Sequence, residues 1–206
     1  YILEQIYLKR KAGKSSDLLS VMALAREDGE YMSDEELVSF AGQIFVAGNE
    51  TTTSLISNLV WRLLTIGDLW NEFCRGEVDV DDAINESLRF DPPLLGLFKT
   101  TSRDVEVDGV TIPSNTKVMM HYGAANRDPL AFSDPNTFKL KRSGKKMLSF
   151  SVGLHVCIGR ELAKLEARVT LTALRKRYPK LRLVNEGERV GPFLFWGRAK
   201  LPVTHQ

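Results

Sequence analysis

The residues best equipped for chemistry lie in one stretch, Phe150 to Ala163, which reads F-S-V-G-L-H-V-C-I-G-R-E-L-A. It sets Cys157 between a glycine-bearing loop and a segment of helical periodicity. Ile158, Leu162, Leu165, Val169 and Ala173 recur at one-turn spacing, with Arg160, Glu161, Lys164 and Arg168 mostly between them. Gly153 and Gly159 permit tight turns and close backbone approach on either side of the sulfur. Cys157 is therefore expected at or just before a helix N-terminus. Free N–H groups and the positive end of the helix dipole there favour a thiolate over a thiol. A thiolate is a nucleophile and a strong ligand for iron. The plainer reading of an isolated cysteine, a small buried hydrophobe, stands beside this one.

A second group of chemical interest interrupts a long helix. Ser33 and Glu36, three residues apart, form a capping box. From there Leu37, Phe40, Ala41, Ile44 and Phe45, then Leu55, Ile56, Leu59, Val60, Leu63 and Leu64, keep helical spacing to Thr65. That is roughly 30 residues, about 45 Å at the α-helical rise, and suits a helix crossing the middle of a domain. Ala47 to Thr53, A-G-N-E-T-T-T, places a glycine, a carboxylate and three β-branched hydroxyls in what is expected to be a buried helix. The glycine costs about 1 kcal/mol relative to alanine. Threonine hydroxyls can bond back to a carbonyl one turn earlier and bend the helix. The segment reads either as a solvated patch or kink, or as a groove where a small ligand lies against an acid and an alcohol able to pass protons.

The remaining elements must position these groups. Ile2, Leu3, Ile6 and Tyr7 stripe a helix over Tyr1 to Lys11. Asp17 or Ser16 caps a second through about Arg26, ended by Asp28-Gly29. Leu69 to Arg75 is a short helix carrying Cys74, read as structural. Asp79 to Asp82 supply capping carboxylates for a helix from Ala83 to about Phe90, which Pro92-Pro93 stops. Glu86 and Arg89 share one face of it, a spacing common in ordinary surface pairs. Val105, Val107, Val110 and Ile112 flank Asp108-Gly109, a hairpin signal. Further strands are expected at Lys117 to His121, around Leu181 to Val184, at Phe193 to Trp196 and at Leu201 to Val203. The fold class is mainly α with a small antiparallel β part, α+β.

Composition narrows the function. The 206 residues suffice for a domain with a real core, and 43% hydrophobic with 26% charged residues is ordinary globular usage. A net charge of +2 gives no support to a nucleic-acid partner. Two cysteines make no disulfide framework, and with His121, His155 and His205 they show no zinc-ligand spacing. No apolar run approaches a membrane span and no signal peptide is visible, so the expected location is the cytoplasm, whose reducing conditions suit a free thiolate. The chain starts at Tyr1 without a methionine, which leaves an N-terminal anchor open.

Phe150, Gly153, His155, Cys157, Gly159, Leu162 and Ala163 together closely resemble the haem-binding signature of the cytochrome P450 family, F-G-x-G-x-H-x-C-x-G followed by L-A. Ser151 stands where the family usually has its first glycine. A-G-N-E-T-T resembles the family's oxygen-activation motif, [AG]-G-x-[DE]-T. E-S-L-R followed by F-D-P-P resembles its E-x-x-R helix, and A-N-R-D-P its meander before the cysteine loop. The motifs agree in order and spacing, and the resemblance runs from about Tyr1 to Leu201, with the compact linkers of bacterial soluble members.

The resemblance implies haem b held by Cys157 as axial thiolate. His155 would hydrogen-bond a propionate, Phe150 would pack near the sulfur, and Gly153 and Gly159 would shape the loop. Lys99 stands where members often carry an arginine for a propionate; a lysine offers a point charge without bidentate geometry. Ala47 and Gly48 would leave room for dioxygen and substrate. Thr51 would hydrogen-bond the oxygen species carried by the iron, and Glu50 would relay protons. Glu86, Arg89 and Arg142 would form a structural network holding the loop. Leu94 to Phe98 would border the substrate pocket. The implied reaction inserts one oxygen atom of dioxygen into a small organic substrate, with electrons from NAD(P)H through a ferredoxin-type or flavin-containing donor. The basic run Lys139, Lys141, Arg142, Lys145 and Lys146, with Arg160 and Lys164, reads as a solvated loop or as a docking patch for such a donor. Residues 1–206 are expected to be the C-terminal part of one P450 domain, with its long central helix and cysteine-ligand loop, the N-terminal half being absent. Such a portion would expose apolar faces, and a non-catalytic haem-binding remnant is the alternative function.

Overall fold

The capping box at Ser33 forms: its Oγ accepts the Glu36 N–H at 3.2 Å, and the Glu36 carboxylate accepts the Ser33 N–H at 2.9 Å. It opens α3 (Asp34–Thr65), a 32-residue helix matching the long helix read from the sequence. The computed structural model describes residues 1–13, 17–142, 147–191 and 193–205. The chain divides into two units, Tyr1–Glu50 and Thr51–Gln206.

In the first unit, α1 (Ile2–Ala12) and α2 (Leu18–Leu24) pack with the start of α3 around Ile6, Met22, Ala23 and Leu37. Asp17 caps α2, its carboxylate accepting the Ser20 N–H at 2.8 Å, while Ser16 lies outside the described residues. Asp34 takes Arg10 at 2.7 Å and the Tyr7 hydroxyl at 2.6 Å, tying α1 to the start of α3. Asp28-Gly29 differs from expectation. It does not end α2; it turns a hairpin between β1 (Arg26–Glu27) and β2 (Glu30–Tyr31). Asp28 and Gly29 both have positive φ, 52° and 86°, the geometry of primed hairpin turns.

In the second unit the rest of α3 packs with α4 (Leu69–Arg75), α5 (Val80–Phe90) and α7 (Arg160–Arg177). Leu55, Leu59, Leu63, Phe73, Ile84, Leu88 and Leu171 are its largest fully buried apolar side chains; each contributes about 1.5–3 kcal/mol relative to exposure. Helix α5 starts earlier than the expected Ala83, because Asp79 accepts the N–H groups of Asp81 and Asp82 at 2.9 and 3.0 Å.

Antiparallel pairs make up the β part: β3 (Leu97–Thr100) with β6 (Lys117–Met120), β4 (Val105–Val107) with β5 (Val110–Ile112), β7 (Arg182–Leu183) with β10 (Val203–Thr204), and β8 (Glu188–Arg189) with β9 (Arg198–Lys200). The short helix α6 (Tyr122–Ala125) follows β6. Phe193 to Trp196 is not a regular strand. Its backbone instead meets residues 93–95, with Leu95 N–H donating to Leu194 and Trp196 N–H to Pro93, both at 2.8 Å. Gly197 then passes so close to α3 that a Cβ there would lie 2.1 Å from Ser54 Oγ.

Candidate functional site

The cysteine loop is built by its own backbone. Ser151 donates to Leu148 at 2.8 Å, and a 3-10 turn spans Gly153–His155. The Cys157 N–H then returns to the Phe150 carbonyl at 2.8 Å. Gly159 is the N-cap of α7, so Cys157 sits just before that helix N-terminus, as its spacing suggested. The Phe150 side chain packs on the second unit's core, with the Lys164 ammonium 5.9 Å from its ring centroid. Ser151 has φ +58°, a left-handed conformation that explains a glycine preference at this position.

Cys157 is exposed, and so are Gly153 and His155. Along the same stretch Leu154 is fully exposed, and Val152, Val156, Ile158 and Leu162 are exposed as well. Cys74, by contrast, is half-buried; burial pushes its thiol pKa up, and its Sγ lies 3.8 Å from the Pro179 carbonyl.

The polar centre of α3 is continuous helix across Ala47 to Thr53. The expectation that it is buried holds only in part. Ala47, Gly48, Asn49 and Glu50 are exposed, Thr51 is half-buried and Thr52 is buried. Apart from its chain neighbours and its own helix backbone, no heavy atom among the described residues lies within 4 Å of where a Gly48 Cβ would stand. Lys99 is exposed on β3, its backbone opposite Val118. Phe193 is exposed and meets Phe98 edge-on at 6.3 Å between centroids.

Glu86 and Arg89 are not a surface pair: they are only 4% and 2% exposed. Arg89 grips the Glu86 carboxylate with two bonds of 2.8 and 2.7 Å. Arg142 donates to both carboxylate oxygens at 3.0 and 3.1 Å, and the Lys139 N–H adds 2.7 Å. The remaining guanidinium donors reach meander carbonyls: Arg89 to Asn126, Pro135 and Thr137, Arg142 to Ser133, Asp134 and Thr137. One carboxylate thus anchors two cations, and almost every donor is used.

Sequence reading passed over Asn126, which is fully buried. Its Oδ1 accepts the Leu148 N–H at 2.7 Å and its Nδ2 donates to Ser149 Oγ at 2.8 Å. Ser149 in turn donates to the Leu88 carbonyl at 2.6 Å. These bonds hold the residues immediately before Phe150. A second buried cluster was also not anticipated: Asp91 takes Arg62 at 2.5 Å and the Trp196 indole N–H at 2.8 Å.

The basic run is changed by these commitments. Arg142 belongs to the Glu86 network, Lys139 pairs with Asp134 at 3.7 Å, and Lys145 and Lys146 lie outside the described residues. A groove of about 740 Å³ beside the cysteine loop is lined by Lys141, Arg160 and Lys164, by the acids Asp82 and Glu161, and by Phe150.

These residues fit a haem. The donor is an exposed thiol set at a helix start, in a loop whose Val152, Leu154, Val156 and Ile158 are exposed as well. His155 and Lys99 are both exposed. Among the described residues no cluster of three or more His, Cys, Asp or Glu offers an alternative metal site. No helix among them is long and apolar enough to cross a membrane.

The family model for cytochrome P450 matches residues 80–186. "Cytochrome P450 109" of Bacillus spizizenii is 36% identical over 203 residues, covering 96% of this chain and 50% of that protein. The structure of CYP109E1 from Bacillus megaterium in complex with corticosterone superposes with TM-score 0.91 at 31% identity, over 100% of this chain and 56% of that one. P450BioI, solved in complex with an acyl carrier protein ligated to hexadec-9Z-enoic acid, gives TM-score 0.91 at 35% identity, over 100% and 53%. The chain spans about half the length of the relatives it matches.

Proposed function

The chain belongs to the cytochrome P450 family, and from that premise we propose that it supplies the haem-thiolate half of a monooxygenase acting on a small, largely apolar organic molecule. The observation that carries the proposal is the exposed Cys157 thiol in a loop of exposed apolar side chains, held by its backbone bond to Phe150. Haem, when bound through Cys157, supplies the redox chemistry that splits dioxygen, and electron donation from the thiolate favours that cleavage.

The chain's own residues have distinct parts in this reading. Phe150 buttresses the loop behind the sulfur, and His155 and Lys99 hold propionates. Ala47 and Gly48 would leave room for dioxygen and substrate. Glu50, exposed to solvent, would relay protons, and Thr51 would offer its hydroxyl as a hydrogen-bond donor. Glu86, Arg89 and Arg142 do no chemistry and hold the meander under the loop. Residues 1–206 are read as the C-terminal part of one P450 domain, working in the cytoplasm.

Electrons are assigned to NAD(P)H through a ferredoxin-type or flavin-containing donor. Lys141 and Lys164, which line the groove beside the loop, are the cations this reading offers to such a donor, Arg160 being paired with Glu161 at 2.8 Å. Corticosterone on CYP109E1 and a fatty acyl chain presented to P450BioI support a hydrophobic substrate. The Glu50–Thr51 pair favours this function over a non-catalytic haem-binding remnant, which has no use for an acid beside an alcohol.

The test is turnover of the haem-loaded chain with reduced ferredoxin, a steroid or fatty acid, and isotopically labelled dioxygen. One labelled oxygen atom in the product supports the proposal. Electron consumption yielding only hydrogen peroxide, at the same rate in Thr51→Ala, assigns the chain to the remnant.

A further inference from the structure

The β8–β9 hairpin contains a pairing that ordinary sheet chemistry avoids. Arg189 and Arg198 are direct antiparallel partners. Residues opposite each other share one face of a two-stranded ladder, and like charges there repel. Neither arginine escapes to solvent. Arg198 is 8% exposed and Arg189 is half-buried. The Arg198 guanidinium lies 4.0 Å from the Trp61 ring centroid; that of Arg189 lies 3.9 Å from Trp196 and 5.7 Å from Trp61.

Nearby negative charge does not balance them. Asp91 is the buried acid of the cluster, and it is engaged by Arg62 through two bonds and by the Trp196 indole. Arg198 donates to the Glu186 carbonyl, a neutral acceptor. Glu188, on the same hairpin, pairs with Lys200 at 2.8 Å. Three guanidinium groups therefore share the buried Asp91 carboxylate and the exposed one of Glu186, whose charge also acts on Arg198. Burial lowers the pKa of both hairpin arginines, that of Arg198 to about 10.

Unused donors then give the cluster a direction. Arg189 Nη1, Arg198 Nε and Trp61 Nε1 are all buried, and among the described residues none has a hydrogen-bond partner. Stacking on an indole stabilises a cation but leaves its N–H groups unsatisfied. Both the uncompensated charge and the idle donors around Trp61 call for the same thing, an acceptor carrying negative charge.

We propose that Arg189, Arg198 and the Trp61 indole N–H form a binding site for one small monovalent anion, of formate, acetate or chloride size, that holds the β8–β9 hairpin against α3. The anion accepts from both guanidinium groups, relieves their repulsion and satisfies the indole. The site makes no use of Cys157 and stands independently of the haem reading.

The test uses the purified chain without added haem, so that no anion acts through iron. Formate or chloride replaces a bulky sulfonate at constant ionic strength while thermal unfolding and tryptophan fluorescence are followed. Two of the three tryptophans, Trp61 and Trp196, belong to the cluster. The expected result is a saturable rise of a few degrees in Tm and a saturable fluorescence change with the same midpoint. Arg198→Leu abolishes both. Arg189→Leu repeats the result if the first variant fails to fold. A dependence that never saturates, or that is equal for formate, chloride and sulfonate, overturns the proposal. So does an Arg198→Leu chain that is more stable than the parent by the same margin in every anion, since that is how an empty cluster relieved of one charge behaves.

Discussion

Arg89 donates to the carbonyl of Asn126 at 2.9 Å, and through that bond the buried network of α5 is coupled to the approach of the cysteine loop. The Asn126 side chain holds Leu148 and Ser149, Ser149 returns to α5 at Leu88, and the Phe150 carbonyl that follows receives the Cys157 N–H. The position of the sulfur thus depends on residues that never meet it. This is a physical reason for a structural ion network to stand far along the chain from the chemistry it serves.

Removing Glu86 leaves two buried guanidinium groups without their shared carboxylate. Glu86→Ala should cost about 3–5 kcal/mol of stability, the range for breaking one side of a buried ion pair. Urea unfolding measures it. A loss below about 1 kcal/mol, the ordinary value for an exposed pair, would refute the buried network.

Asn126→Ala should act more narrowly. It orphans the Leu148 N–H, at a cost of about 1–3 kcal/mol for a buried group left unsatisfied, while the Ser149 hydroxyl keeps its bond to the Leu88 carbonyl. Haem dissociation into an excess of apomyoglobin should become faster than in the parent chain. Haem retention unchanged alongside a lower unfolding midpoint would separate Asn126 from the loop.

Ser151 occupies a left-handed conformation in the loop. Ser151→Gly removes the strain of a Cβ there, about 1–2 kcal/mol, and gives back part of it as unfolded-state entropy. The net expectation is a gain of up to about 1 kcal/mol in thermal stability, with the haem spectrum unchanged. A substantial loss of stability would show that the serine hydroxyl matters.

The two cysteines should separate in alkylation. Cys157 is exposed, while Cys74 is half-buried with its pKa raised by burial, so less of it is thiolate at any given pH. Iodoacetamide should label Cys157 first, and added haem should protect Cys157 alone. The raised pKa of Cys74 also fixes a sign. Its contribution to stability is fully present below the ordinary thiol value of 9.0 and is lost as pH climbs through the higher folded value. Cys74→Ala should remove that alkaline loss, followed by thermal unfolding against pH.

Local chemistry was the legible part of the sequence. The Ser33–Glu36 box, the Asp108-Gly109 turn and the glycine-flanked Leu69–Arg75 helix depend on neighbouring residues, and the structure has them where the sequence put them. Distant partners were not legible. Strand β3 is exposed along its length and exists because β6, twenty residues later, pairs with it. The spacing of Glu86 and Arg89 gave a shared helix face but no burial, since burial comes from the meander folding over them. Asn126 looked like part of an irregular loop because all its partners lie far along the chain. The resemblance alone named Arg142 as the partner of Glu86 and Arg89; its place in a basic run read equally well as surface charge.

The most direct measurement is the absorption spectrum of the purified chain after haem addition, reduction and exposure to carbon monoxide. Thiolate ligation by Cys157 predicts a strongly red-shifted Soret band that disappears in Cys157→Ala. An unshifted band, or a shifted band that survives Cys157→Ala, would contradict the account.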